Sequence, residues 1–278
     1  MKRILFLATT LLVNYCFAQH STMRFTNEPI RLNQQSVLMV PFESKMYLSD
    51  INKELATENN LNAEQIIQRF TNGIDQSIYY TFRDRCNITS FYELEDQEST
   101  KDLNYIYDNL NLEYELVSKG DQASGFDKMK NKFKKKESQE YKRGEIRNGE
   151  IYSERDDRER YMKAVVKNDE MLDSMHFKFN NTYFLFITEL DIKNLYADAI
   201  AMQRMDYDRE VKVHYTLYHK NGEILSTGVS ATTFPATLNN IDKIISGYFP
   251  ILAQNIYAEL FPDESKAEES KIDLKLWK

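Results

Sequence analysis

Apolar residues along this chain follow two rhythms. The helical one is clearest between Asn62 and Phe82, where Ile66, Phe70, Ile74, Ile78 and Phe82 recur at every fourth position. Ile67 and Tyr79 widen the stripe to the breadth a helix needs to lie on a sheet. Asn62, with Gln65 three residues on, has the form of a capping box. Gly73 interrupts the stripe at a cost of about 1 kcal/mol relative to alanine and permits close packing. A second helix is predicted over Asp102–Leu116, with Leu103, Ile106, Tyr107, Leu110 and Tyr114 on one side. A third runs from Asn239 to Leu260, carrying Ile241, Ile244, Ile245, Tyr248, Leu252, Ile256 and Leu260 inward. Pro250 is placed to kink it and Pro262 ends it.

The other rhythm is that of strands. Val37–Phe42 is apolar without alternation, as expected where both faces of a sheet are covered, and Pro41 stands near its end. Glu43 to Asn60 is polar and mixed, a loop leading to a short helical turn. Ile88–Leu94 is the next candidate strand. Tyr183–Ile192 is rich in aromatic and β-branched residues. Glu210–His219 alternates, with Val211, Val213, Tyr215 and Leu217 on one face and Lys212, His214, Thr216 and Tyr218 on the other. The Asn221-Gly222 pair then signals a hairpin that returns the chain as Glu223–Thr233. This order predicts an α/β (α+β) domain with a mixed sheet of about five strands, packed by three main helices.

Between Lys119 and Glu170 both rhythms fade. Charges of both signs crowd together, as in Lys134-Lys135-Lys136, and large apolar residues are sparse. Such a stretch cannot bury the surface needed to offset ordering entropy, so 119–170 reads as a charged, partly disordered insertion. Arg147-Asn148-Gly149-Glu150 has the form of a hairpin turn. A solvated loop is the favoured reading of the insertion, ahead of a flexible arm for a partner or anionic lipid.

The first residues change the expected location. Lys2 and Arg3 precede an apolar run from Ile4 to Val13, and a mixed stretch ends at Ala18. This is the layout of a secretory signal peptide, expected to be cut after Ala18. At about ten residues the run is too short for a bilayer core of about 30 Å. Lipidation of Cys16 is the alternative, set against bulky Tyr15 and polar Asn14. The expected organisation is a signal peptide (1–18), an extension (19–35), one domain (36–262) and a charged tail (263–278). In that tail Leu274, Leu276 and Trp277 could dock on a partner, although fraying is favoured. No later segment is long and apolar enough to span a membrane, which leaves peripheral attachment open. Periplasm or outer-membrane periphery is the expected compartment. The formal net charge of −7 falls to −9 once Lys2 and Arg3 are removed, an acidic balance that argues against a nucleic-acid partner.

Candidate chemistry is thin. There is no phosphate loop, GxSxG elbow or HExxH motif. With Cys16 removed Cys86 stands alone, so no disulfide or cysteine metal cluster forms, and Cys86 reads as a core residue. His214 and His219 fall on opposite faces of a strand, and neither His20 nor His176 completes a ligand set. The pairs Glu93/Glu95, Glu189/Asp191 and Asp206/Asp208 read as solvated surface. The last lies in a loop lacking the features of a standard calcium loop. No catalytic residue, metal ligand or cofactor is assigned. Tyr79, Tyr80, Tyr105, Tyr107 and Tyr114 gather around the first two helices and form the candidate partner-binding surface.

The stretches Val37–Phe42, Ile66–Phe82 and Asn181–Glu189, taken in order, resemble the envelope α/β domains of three groups. These are the curli-secretion-channel lipoprotein, the TolB N-terminal domain and the lipoprotein activators of penicillin-binding proteins. Asn181-Thr182-Tyr183 stands where those families have Gly-Ala-Asp-Tyr, and the glycine of their next strand is absent here. The resemblance implies a non-enzymatic role in assembly, secretion or regulation of an envelope complex, with unidentified envelope proteins as partners. Two other readings stay open: a secreted hydrolase using carboxylates, which requires a deep pocket, and a small-ligand or peptidoglycan binder, which requires an aromatic-lined groove.

Overall fold

A computed structural model describes residues 35–91, 94, 97–116, 160–196 and 200–260, with the backbone alone of 21–24, 146–147, 150–151 and 199. The expected signal peptide, Cys16, His20, Glu93, Glu95, most of the insertion and the tail 263–278 lie outside these residues. In chain order the elements begin with β1 (Ser21–Arg24), β2 (Ser36–Val40), a 3₁₀ turn (Ser44–Met46), β3 (Tyr47–Ser49), α1 (Asn52–Asn59) and α2 (Ala63–Phe82). There follow β4 (Asn87–Ser90), α3 (Gln97–Asp108), β5 (Leu110–Leu116), β6 (Ile146–Arg147), β7 (Glu150–Ile151) and β8 (Arg160–Val166). The chain closes with α4 (Asp169–Phe179), β9 (Tyr183–Leu195), α5 (Ala199–Arg204), β10 (Asp208–His219), β11 (Ile224–Pro235) and α6 (Ile241–Leu260).

The main sheet has the order β1-β11-β10-β9-β2-β4, with β3 continuing beside β9. Pairing is antiparallel from β1 to β9 and parallel from β9 through β2 to β4, so the sheet is mixed. The five strands expected from sequence are β2, β4, β9, β10 and β11. β1 falls within the expected 19–35 extension.

Side-chain alternation in β2 defines the two faces. Val37 and Met39 enter one core, Leu38 and Val40 the other. The first core is roofed by α2 and α6, which run side by side in the same direction. Arg69 meets Asp242 at 2.8 Å near their starts, and the Phe82 and Tyr257 rings lie 5.6 Å apart near their ends. The predicted capping box is present: the Asn62 side chain accepts from the Gln65 N–H and the Gln65 side chain accepts from the Asn62 N–H. Ile66, Phe70, Ile74, Ile78 and Phe82 are all buried, each contributing about 1.5–3 kcal/mol relative to exposure. Pro250 lies inside α6, on its exposed side.

The second core is covered by α3, α4 and a two-stranded unit in which β5 pairs with β8. Here the sequence reading needs correction. The helix expected over Asp102–Leu116 divides: α3 ends at Asp108 and Leu110–Leu116 is a strand. Leu110, Leu112, Tyr114 and Leu116 also have period two, and pairing with the distant β8 decides in favour of extension. The insertion expected over 119–170 is shorter at its end, because Arg160–Val166 is strand and α4 starts at Asp169. Inside it the backbone of β6 pairs with β7, on either side of the predicted Asn148-Gly149 turn. The polar stretch Glu43–Asn60 holds β3 and α1. No described helix is long and apolar enough to cross a membrane.

Candidate functional site

Two features of β9 organise the polar side of the sheet. β2 leaves β9 after the Val40–Phe186 pair, and β3 rejoins it at Tyr47–Leu190. Across the same stretch β9 carries a bulge: Glu189 pairs with His214 and Ile187 with Tyr215, so Thr188 is the extra residue. A bulge resets which residues face which side. Before it Phe184 and Phe186 face the second core; after it Leu190 and Ile192 face the first. Glu189 and Asp191 are thereby turned toward the β5–β8 side. Both were expected to be solvated, yet they are only 2% and 3% exposed. That expectation followed from the abundance of acidic residues in the chain; the bulge turns both onto a face that β5 and β8 cover.

β8 stands edge-on against this face and is held by side chains instead of a neighbouring backbone. The N–H groups of Met162, Ala164 and Val166 donate to His214 Nδ1 at 2.8 Å, Thr216 Oγ1 at 3.0 Å and the Tyr218 hydroxyl at 3.4 Å. Thr188 Oγ1 donates back to the Met162 carbonyl at 2.9 Å, and the Tyr218 hydroxyl to the Ala164 carbonyl at 3.0 Å. This is the polar face of Glu210–His219 read from the alternation. Its i, i+2, i+4 spacing matches the alternate outward N–H groups of a second strand.

His214, 3% exposed, is the centre of the cluster. Because Nδ1 accepts the Met162 N–H, the ring proton sits on Nε2, which lies 3.5 Å from Glu189 Oε1. Burial pushes the His214 pKa down to about 3, with Lys212 and Lys193 adding to the shift. Burial raises that of Glu189, opposed by the hydrogen bond from the Tyr114 hydroxyl. Outside this pair, Glu115 accepts from Lys163 at 2.8 Å and from the Tyr161 hydroxyl. The group resembles an acid–base constellation, but it lies beneath β5 and β8. The hollow beside it, at the gap between β2 and β3, holds about 10 Å³, room for a single water. The hydrolase reading calls for a deep pocket at such groups, and the described residues form none there.

The five tyrosines do not share one surface. Tyr79 and Tyr80 sit on α2, on the side of the first core, with Tyr79 packed against it. Tyr105, Tyr107 and Tyr114 belong to α3 and β5 on the other side. Tyr107 is tied down by a 2.8 Å hydrogen bond from its hydroxyl to the Pro41 carbonyl. Tyr114 spends its hydroxyl on Glu189 while its ring is half exposed. Tyr79 thus packs on the first core and Tyr107 on the second.

A hollow of about 430 Å³ is a broad depression at the end of α2 between Tyr79, Arg83, Arg85 and Ile88. Cys86 forms part of its floor, 5% exposed, with its thiol pushed up to about 12 by burial. It is the core residue expected. His176 and His219 lie apart from His214: the first meets Lys220 Nζ at 3.1 Å, the second packs edge-on against Tyr183. Asp206 and Asp208 are both exposed. Among the described residues no three His, Cys, Asp or Glu side chains converge as metal ligands.

Among the described residues Phe177 on α4 is the most exposed large apolar side chain, at 91%, and a run of others lies where β9 ends and α5 leads to β10. Leu195, Tyr196, Ile200, Met202 and Met205 are between 39% and 60% exposed within eleven positions of one another. Tyr196 is anchored by an edge-on contact with Tyr207, ring centres 4.7 Å apart. Beneath, Arg209 is fully buried and donates from Nε to Asn194 at 3.1 Å and from Nη1 to Asn239 at 2.7 Å, which fixes the start of β10 and the approach to α6. This surface was missed from sequence because Ala199–Arg204 is too short to show helical periodicity. Its one legible sign is a methionine pair beside Ile200.

Comparison with known protein families and with curated proteins found no match. Among solved structures, a PelC dodecamer from Paraburkholderia phytofirmans is similar at 6% identity, covering 85% of this chain and 97% of that one, with a TM-score of 0.34. A point variant of the same dodecamer is similar at 5% identity, over 87% and 98% of the two chains, also at 0.34. At that level the likeness does not reach activity or assembly.

Proposed function

We propose that this chain is a non-enzymatic binding or scaffold protein of the cell envelope, and that it docks a protein partner through the apolar surface formed by the end of β9 and α5. The observation that carries the reading is the exposure of Leu195, Tyr196, Ile200, Met202 and Met205, each 39–60% exposed, along the stretch from the end of β9 through α5. Single exposed apolar residues are ordinary, whereas a contiguous group marks an interaction site. Two of the five are methionines, whose flexible thioethers adapt to varied partner shapes. The layout of Lys2 to Ala18 supports export, and with it a partner in the periplasm or at the outer-membrane periphery.

A photo-crosslinking residue placed at Met202 of the full chain, expressed in a bacterium with its leader, tests this reading. The expected result is a discrete adduct from Met202 and none from the same group placed at Asp173 on α4, in the periplasmic fraction. Equal, diffuse labelling from both positions would remove the docking surface. Retention of the chain in the cytoplasm would remove the envelope assignment.

A further inference from the structure

The depression at the end of α2 gathers two cations whose hydrogen-bonding capacity the fold does not use. The closing carbonyls of the helix are satisfied by backbone. The Arg83 N–H donates to the Tyr79 carbonyl at 3.0 Å, and the Arg85 and Cys86 N–H groups donate to that of Phe82 at 2.9 and 3.0 Å. The two arginine side chains are therefore not needed as caps. Arg83 lies with Cζ 4.6 Å from the centre of the Tyr80 ring, which meets Tyr79 edge-on at 5.6 Å. Such stacking fixes the guanidinium plane and leaves its N–H edge free to donate. Its one ion pair among the described residues, to Asp84 Oδ1, is 3.9 Å long between exposed groups, beyond hydrogen-bond reach. The Arg85 side chain makes neither a hydrogen bond nor an ion pair among the described residues.

The other walls favour the same kind of ligand. β4 is the last strand of the sheet, and Asn87 spends its N–H on the Gln35 carbonyl, so the next N–H along, that of Ile88, turns to the outer edge. The Cys86 thiol is held protonated by burial and adds no charge. Two guanidinium groups thus stand against the Asp84 carboxylate and the roughly half negative charge of a helix end, a positive balance in a chain of net charge −7. The volume of about 430 Å³ is that of a small-molecule site. We propose that this depression binds the oxyanion group of a small ligand, a carboxylate or a phosphate received by Arg83 and Arg85, with the body of the ligand beside Tyr79. A guanidinium presents paired N–H donors that match the two oxygens of either group. The site is separate from the α5 surface, and neither reading depends on the other.

NMR titration of the full chain tests this with three probes: glucuronate, glucose 1-phosphate and uncharged glucose. At least one of the two anions is expected to shift the amides of Arg85, Asn87 and Ile88 with a Kd of roughly 1 mM, and glucose to bind at least tenfold more weakly. The anion that binds more tightly identifies the group as carboxylate or phosphate. Arg83→Gln with Arg85→Gln is expected to weaken the anion at least tenfold while the remaining amide spectrum stays as in the parent. Lys53→Gln with Lys101→Gln, which removes two cations on α1 and α3, should change it less than twofold. The proposal is overturned if neither anion shifts these amides, or if glucose shifts them as strongly. It is overturned equally if the lysine pair weakens the anion as much as the arginine pair, which would make the effect one of diffuse charge.

Discussion

His214 shows how a single buried side chain can tie the stability of this protein to pH. Its Nδ1 must stay unprotonated to accept from Met162, and burial first, then Lys212 and Lys193, hold its pKa down to about 3. In the unfolded chain a histidine titrates near 6.5. Between about pH 6.5 and 3 the unfolded state binds the proton and the folded state does not, so stability falls as pH falls through that window. One proton corresponds to a slope of at most about 1.4 kcal/mol per pH unit. Glu189 has the opposite sign. Its pKa is raised, burial being the largest cause, so the stability it contributes is present at low pH and lost as pH rises through its folded value. His214→Gln separates the two. Denaturant midpoints measured from pH 7 to 4 are expected to fall less steeply for the variant than for the parent, and parallel curves would exclude His214 as the titrating group. At pH 7, Tyr114→Phe is expected to cost about 1–3 kcal/mol, because it strips a buried carboxylate of its hydroxyl donor. An unchanged midpoint would mean that water replaces the hydroxyl.

At the scale of elements, the best-read helix also makes the sharpest stability prediction. A Cβ at Gly73 would lie 2.8 Å from Cγ2 and 2.9 Å from Cδ1 of Ile245, closer than real Cβ atoms come to a neighbour. Gly73→Ala gains about 1 kcal/mol of helix propensity but overpacks the α2–α6 contact, which costs about 1–3 kcal/mol. The expected net effect is destabilising. In an Ile245→Ala background the clash is gone, and the same substitution is expected to stabilise by up to about 1 kcal/mol. A double-mutant cycle that gives one sign in both backgrounds would remove the close contact from the account. α2 was legible because its cap, its stripe and its glycine are all local to one stretch of sequence. β5 was not: Leu110 and Tyr114 fit the helical period as well as the strand period, and the strand that settles the matter is β8. For the same reason the sequence located the polar face of β10 but not what it holds. A strand standing edge-on against side chains is a relation between distant segments, and no spacing within either one announces it.

The whole molecule is a mixed sheet with two unlike covers, and this asymmetry makes the charged segment separable. Two long helices cover one face through continuous apolar contact. The other face carries a small hairpin whose strands enter and leave at one point, because Leu116 and Arg160 are register partners at the end of β5 and β8. The chain that departs at Leu116 therefore returns beside it at Arg160. Replacing 117–159 with an Asn-Gly turn needs no movement of either strand and matches the twist of an antiparallel pair. Each halving of a loop removes about 0.6 kcal/mol of closure cost, so more than four halvings lower it by roughly 2–3 kcal/mol. The shortened chain is expected to fold with the same far-ultraviolet spectrum and a raised denaturant midpoint. A molten spectrum would show that the replaced segment helps to hold β8 on the sheet.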